Sequence, residues 1–117
     1  MAGMSIARTQ TGDTDVVSIT GRIDASNATE FEDAVRASID AGTLRLVFDC
    51  AGLRYASSAG LRVFLIAAKY LNPVGGRIAV VALDDEVRAI FDIAGLLPLF
   101  EFYPDRAAAL AALRSPR

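Results

Sequence analysis

Short runs of aliphatic and β-branched residues alternate with segments of helical period, and turn residues separate them at almost every change of pattern. That order leads to an α/β fold in which helices carry successive strands back into one sheet. Ser5–Gln10 and Val16–Thr20, joined through Thr11-Gly12-Asp13, predict an opening hairpin. Asn27 with Glu30 three residues on forms a capping pattern, and Ala28, Phe31, Val35 and Ile39 make the apolar face of the helix it opens, which Gly42 ends. Leu44–Phe48 reads as a central strand. A second helix is predicted from Ser57 or Ser58 to Leu71, with Leu61, Phe64, Leu65 and Ala68 inward, before Asn72-Pro73 and Gly75-Gly76 break it.

Ile78–Leu83 is predicted as a further buried strand. A third helix follows, with Asp84-Asp85-Glu86 at its start, Val87, Ile90, Phe91 and Ala94 as its inner stripe, and Gly95 as its stop. Leu97–Phe102, carrying Pro98, suits an edge strand, and Pro104-Asp105 starts a terminal helix that docks through Leu110 and Leu113. The expected product is a mixed, mostly parallel sheet of four to five strands with about four helices. Residues 1–117 form a single domain in this reading, a length that supports one core and not two.

Composition removes whole classes of chemistry. Hydrophobic residues at 53% and charged residues at 22% place the chain among folding sequences rather than disordered ones. With no histidine, a histidine base, a histidine-bearing zinc site and a Ser/His/Asp triad are excluded. No Gly-x-x-x-x-Gly-Lys-Ser/Thr loop is present and the carboxylates at the strand ends form no obvious metal cluster, so neither cofactor nor metal is expected. Twelve basic residues against fourteen acidic ones, with no basic block, argue against direct nucleic-acid binding. Cys50 is the only cysteine, which excludes an intrachain disulfide and suits a reducing compartment. Met1-Ala2-Gly3-Met4 does not open a secretory signal, and the longest apolar run, Val63–Ala68, is far short of the ~20 residues of a membrane span. The expectation is a cytoplasmic protein without a membrane partner.

In sheets of this kind functional loops gather at the carboxyl ends of the strands. Two turns stand there: Gly21–Ser26, and the longer Asp49–Leu61. Within the second, Ser57-Ser58-Ala59-Gly60-Leu61 puts two hydroxyls at a helix start. A serine there caps the helix, or it accepts a phosphate that the first-turn amides and the helix dipole favour, and one exposed hydroxyl can do both. Asp24 reads equally as a cap and as a residue facing a partner. Gly60 suits tight packing or close approach of a partner, and also has the ordinary conformational explanation. Arg54 and Arg62 flank the serine turn, although isolated surface arginines usually bind neither phosphate nor partner carboxylates. Asp84, Asp85 and Glu86 serve the helix dipole more readily than a cation, and the sequon Asn27-Ala28-Thr29 is chance.

Asp49–Val63, with Asp-Cys-Ala at the strand end, Tyr55, and then Ser57-Ser58-Ala59-Gly60-Leu61, resembles the signature of STAS domains, in particular the bacterial anti-sigma-factor antagonists. Gly21-Arg22-Ile23-Asp24 is similar to that family's first strand-to-helix turn, Phe91–Leu96 to its late helix end, and Ala107–Leu113 to its terminal Ala-Leu helix. The resemblance implies a partner-switching module that is not an enzyme. The unmodified antagonist binds an anti-sigma factor with a serine-kinase fold, phosphorylation by that kinase weakens the complex, and a serine phosphatase restores it. Carried over, the phosphoacceptor falls on Ser58, with Ser57 as the alternate. The partner-binding residues fall on Asp24, Ser57, Ser58, Ala59, Gly60, Leu61 and Arg62. Ser57 stands where many members carry aspartate, and Ala59 replaces their second hydroxyl. That departure motivates a second reading, a non-phosphorylated scaffold or accessory subunit of a signalling complex or lipid-transport machine.

Overall fold

The computed structural model describes residues 3–114, so Met1 and Ala2, part of the N-terminal reading, and the last three residues lie outside the described residues. Five strands form one sheet in the order β1-β2-β3-β4-β5: β1 (Met4–Thr11), β2 (Thr14–Ile23), β3 (Arg45–Ala56), β4 (Arg77–Val81) and β5 (Glu101–Tyr103). β1 runs antiparallel to β2, and the remaining pairings are parallel. Among the described residues three α-helices link the strands, α1 (Ala28–Asp40), α2 (Ser58–Leu71) and α3 (Asp85–Ile93), and α4 (Arg106–Arg114) follows β5. None of them is long and apolar enough to cross a membrane.

Alternation along the strands divides the interior into two layers. Val17, Ile19, Leu46, Phe48, Ile78 and Val80 face the larger core beneath α1, α2 and α3, while Val16, Val47, Ala79 and Val81 face Ala109 and Leu113 of α4. Phe64 is the hub of the larger core. Its ring centroid lies 4.9 Å from Phe31, 4.8 Å from Phe48 and 4.9 Å from Phe91, each in an edge-on arrangement that suits the quadrupoles of the rings.

Several elements differ from the sequence reading for identifiable reasons. The hairpin turn tightens to Gly12-Asp13, because Thr11 already pairs with Thr14. β3 does not stop at Phe48 but continues to Ala56, so most of the expected long turn is strand. Along this extension β3 advances from Asp49 to Ala56 while β2 advances only from Ser18 to Ile23, with register shifts on either side of Thr20–Gly21. Such bulges destroy the two-residue period, leaving Cys50, Leu53 and Ala56 buried at intervals of three. Gly52 belongs to this irregularity, since a Cβ there would collide with Thr20.

Asn27 stands at the start of α1 without capping it. Its side chain turns back, accepting from the Asp24 N–H at 2.9 Å and donating to the Arg22 carbonyl at 3.0 Å, as asparagine does when it competes for local backbone groups. The buried stripe of α2 is Gly60, Val63, Phe64, Ala67, Ala68 and Leu71, with Leu61 and Leu65 half-buried at its margin. Glycine carries no weight in a hydrophobic periodicity, so the sequence centred that stripe one residue late. In α3, Val87 and Phe91 are buried and Ala94 is exposed. Pro98 sits in a single 3₁₀ turn, Leu97–Leu99, which shortens the edge strand to Glu101–Tyr103.

At the amino end of the sheet Asp15 is completely buried. One of its carboxylate oxygens accepts from Arg8 through Nε at 2.9 Å and Nη2 at 2.7 Å. Burial alone would push this carboxyl up, but the Ser38 hydroxyl, the Arg8 guanidinium and the Thr43 hydroxyl more than reverse that and hold it below the ordinary aspartate range.

Two stability measurements follow. Phe64→Ala is expected to cost about 3–5 kcal/mol in guanidinium unfolding, and a loss below about 1 kcal/mol would deny Phe64 its central place. Because the folded-state pKa of Asp15 is depressed, its contribution is complete above the unfolded value of about 3.9 and is lost as pH falls through the lowered value. Asp15→Asn should therefore lower stability by about 1–3 kcal/mol at pH 7, with the gap to the parent closing progressively below about pH 4. A gap that stays constant in urea titrations down to the acid limit would contradict the assignment.

Candidate functional site

The parallel pairing of β2 with β3 persists to Ile23 opposite Ala56, and one further bond, from the Ser57 N–H to the Ile23 carbonyl at 2.9 Å, ties the two chain segments where they leave the sheet. Asp24 and Ser58 each come one residue beyond that tie. The two turns singled out in the sequence therefore emerge side by side at the carboxyl edge.

The first turn is an internally bonded loop. Asp24 Oδ1 accepts from both the N–H and the hydroxyl of Ser26, and the Asp24 carbonyl accepts from the N–H groups of Asn27 and Ala28. The hydroxyl of Ser26 leads the causes that hold the Asp24 carboxyl below its usual range, so it stays ionised on the exposed rim. Asp24 thus organises the loop ahead of α1 without its side chain capping that helix.

The two serines separate sharply. Ser57 is the residue preceding α2, but its side chain caps no first-turn amide; its Oγ is buried and has no hydrogen-bond partner among the described residues. Ser58, the first residue of α2, is exposed. The expectation that a serine hydroxyl caps this helix is therefore not met.

Gly60 is buried against the end of β2, and a Cβ there would lie 2.8 Å from Ile23 Cγ2. Tight packing accounts for this glycine. Ala59 and Leu61 are half-buried and Arg62 is exposed. Among residues 58–62, Ser58 and Arg62 are thus the ones that reach water most freely.

The surrounding charges are organised by contacts invisible in the one-dimensional pattern. Arg62 Nη1 meets Glu32 Oε1 of α1 at 3.2 Å. Arg54 Nη1 donates to the Ala51 carbonyl at 3.2 Å and lies 3.9 Å from the carboxylate of Asp84. Asp84 caps α3 by accepting from the Val87 N–H at 2.9 Å, in keeping with the structural role read from its position. Sequence reasoning missed Glu32, and it missed the stacking of Arg22 over the Tyr55 ring at 4.4 Å. The pairing of Arg22 with Tyr55 depends on the bulged register, whereas the four-residue spacing of Glu32 and Arg36 was open to inspection.

Among the described residues, no group of three or more Cys, Asp or Glu side chains is placed to hold a metal ion. Cys50 is buried, and desolvation, with Asp49 and Asp84 adding to it, pushes its thiol well up, so it is not a nucleophile. An open depression of about 500 Å³ lined by Asn72, Arg77, Pro98, Leu99 and Glu101 lies by the start of β4, at the opposite edge of the sheet from Ser58.

Known proteins share this chain's sequence and fold over most of its length. The chain is 38% identical over 100 residues to BtrV of Bordetella bronchiseptica, which bears the name of an anti-sigma factor antagonist, with 86% of each chain covered. It is 28% identical over 103 residues to the anti-sigma F factor antagonist of Paenibacillus polymyxa, covering 84% of this chain and 85% of the relative. The crystal structure of an anti-sigma factor antagonist from Mycobacterium paratuberculosis superposes with a TM-score of 0.87 at 27% identity, with 97% of both chains covered. The STAS domain family model matches residues 5–109. Family model and relative agree: the chain belongs to the STAS domain family.

Proposed function

We propose that this chain is an anti-sigma factor antagonist working in the cytoplasm by partner exchange and not by catalysis. Its carboxyl rim, formed by Asp24 and the segment Ser57–Arg62, docks on an anti-sigma factor with a serine-kinase fold and so releases a sigma factor for transcription. Phosphate on Ser58 ends the complex. The names of the relatives support the antagonist role. The observation that carries the choice of residue is the contrast at the start of α2, where the Ser58 side chain reaches solvent and the Ser57 hydroxyl does not.

The chemistry asks little of this chain beyond presentation. A nucleoside triphosphate held by the partner gives up its terminal phosphoryl group to Ser58. The Oγ–P bond forms as the bond from phosphorus to the bridging oxygen breaks, the hydroxyl proton passes to a base of the partner, and the nucleoside diphosphate leaves. A serine phosphatase reverses the state by hydrolysis, releasing inorganic phosphate. At the amino end of a helix the new dianion is tolerated by the first-turn amides and the helix dipole. The same charge faces an incoming partner, where it adds bulk, desolvation cost and repulsion from facing carboxylates.

Binding to the cognate anti-sigma factor tests this reading. Ser58→Ala should bind within about twofold of the parent, while Ser58→Glu should bind about tenfold or more weakly, a difference of about 1.4 kcal/mol. Ser57→Ala should still accept one phosphate by intact mass. If the kinase-fold partner adds no phosphate and Ser58→Glu binds as well as the parent, the switch is wrong and the scaffold role, without phosphorylation, takes its place.

A further inference from the structure

Ser58 and Arg62 stand four residues apart on α2, and residues at that spacing are neighbours on one helix face. Long side chains on a helix lean toward its amino end, a direction in which a group on Ser58 comes within reach of the Arg62 guanidinium. The Arg62 side chain is 65% exposed and reaches Glu32 through a single nitrogen at 3.2 Å. Glu32 has a closer partner on its own helix, since Arg36 donates to Oε2 through Nε and Nη2, both at 2.8 Å. Arg36 also leads the causes that hold the Glu32 carboxyl low, with Arg62 contributing less. The contact between α1 and α2 is thus the weaker half of a three-residue network.

We propose that Arg62 is the intramolecular phosphate ligand of the modified protein: phosphate on Ser58 draws the guanidinium from Glu32 and holds it on α2, leaving Glu32 to Arg36. This inference rests on Ser58 being the modified hydroxyl. A phosphate carries more charge than one carboxylate and presents the oxygen geometry that a guanidinium fork matches bidentately. Modification then alters the rim twice. It adds a dianion, and it withdraws a cation that a partner's carboxylate would otherwise meet. It also dissolves the ion pair that ties α1 to α2 through Glu32 and Arg62.

The test uses the full chain with phosphoserine installed at position 58 during synthesis, so that no kinase is needed, and follows the phosphate by 31P NMR titration. The second ionisation of phosphoserine lies near pH 6, and it should move up by roughly 0.3–0.7 pH unit in Arg62→Gln relative to the parent. Glu32→Gln should move it the other way, and Arg54→Gln should shift it by less than half as much as Arg62→Gln. Superimposable titrations of the parent and Arg62→Gln, or an equal effect of Arg54→Gln, would overturn the assignment. The two readings fail separately. A Ser58 that the kinase ignores, but whose installed phosphate senses Arg62, defeats the proposed function alone; a Ser58 that is modified and switches binding, but titrates without regard to Arg62, defeats this inference alone.

Discussion

The prolonged pairing of β2 with β3 is the constraint on which the rim depends. Were β3 to end at Phe48, the serine turn would leave the sheet well short of the point where β2 hands over to Asp24. By continuing through two irregularities to Ala56, β3 carries the start of α2 level with the end of β2, and the bond from Ser57 to Ile23 fastens it there. Gly60 then lets α2 lie directly against Ile23. The backbone of the serine turn is thereby set by strand register and close packing rather than by side-chain capping. A surface built this way keeps its shape when the chemistry of its outermost side chain changes.

The parts of the fold visible in the sequence are those in which a period survives. Phe31 and Val35 on α1, Val87 and Phe91 on α3, and the stops at Gly42 and Gly95 could be placed because helical spacing and glycine chemistry act locally. The antiparallel start and the parallel remainder of the sheet followed from the opening hairpin and the helices that link the later strands. What escaped was set by contacts distant in sequence. The bulges of β3 exist only relative to β2, Asn27 chose backbone groups behind it over the helix ahead, and Pro98 found a 3₁₀ turn that ended before the strand began.

The same distinction holds at the site. The segment Ser57–Leu61 could be located from its residues alone, yet the two hydroxyls within it could not be told apart by composition or spacing. Their difference is a matter of direction: the residue preceding a helix and the first residue within it project on different sides of the chain, and here one side is the interior. Arg62 was visible as a flanking cation, but its engagement with Glu32 needed the packing of α1 on α2, which no local pattern encodes.

The sheet is clothed unevenly, and that has a dynamic consequence. Three helices seal the aromatic layer, whereas among the described residues the opposite layer is closed by α4 through Ala109 and Leu113, helped by the bonds from Arg77 to the Ala112 carbonyl and from Arg106 to Asp49. Lifting α4 would wet four small side chains of the sheet and leave the phenylalanines dry. Subglobal opening of that kind lies below global unfolding in free energy, so the amides of α4 are expected to exchange ahead of those of the strands beneath the aromatic layer.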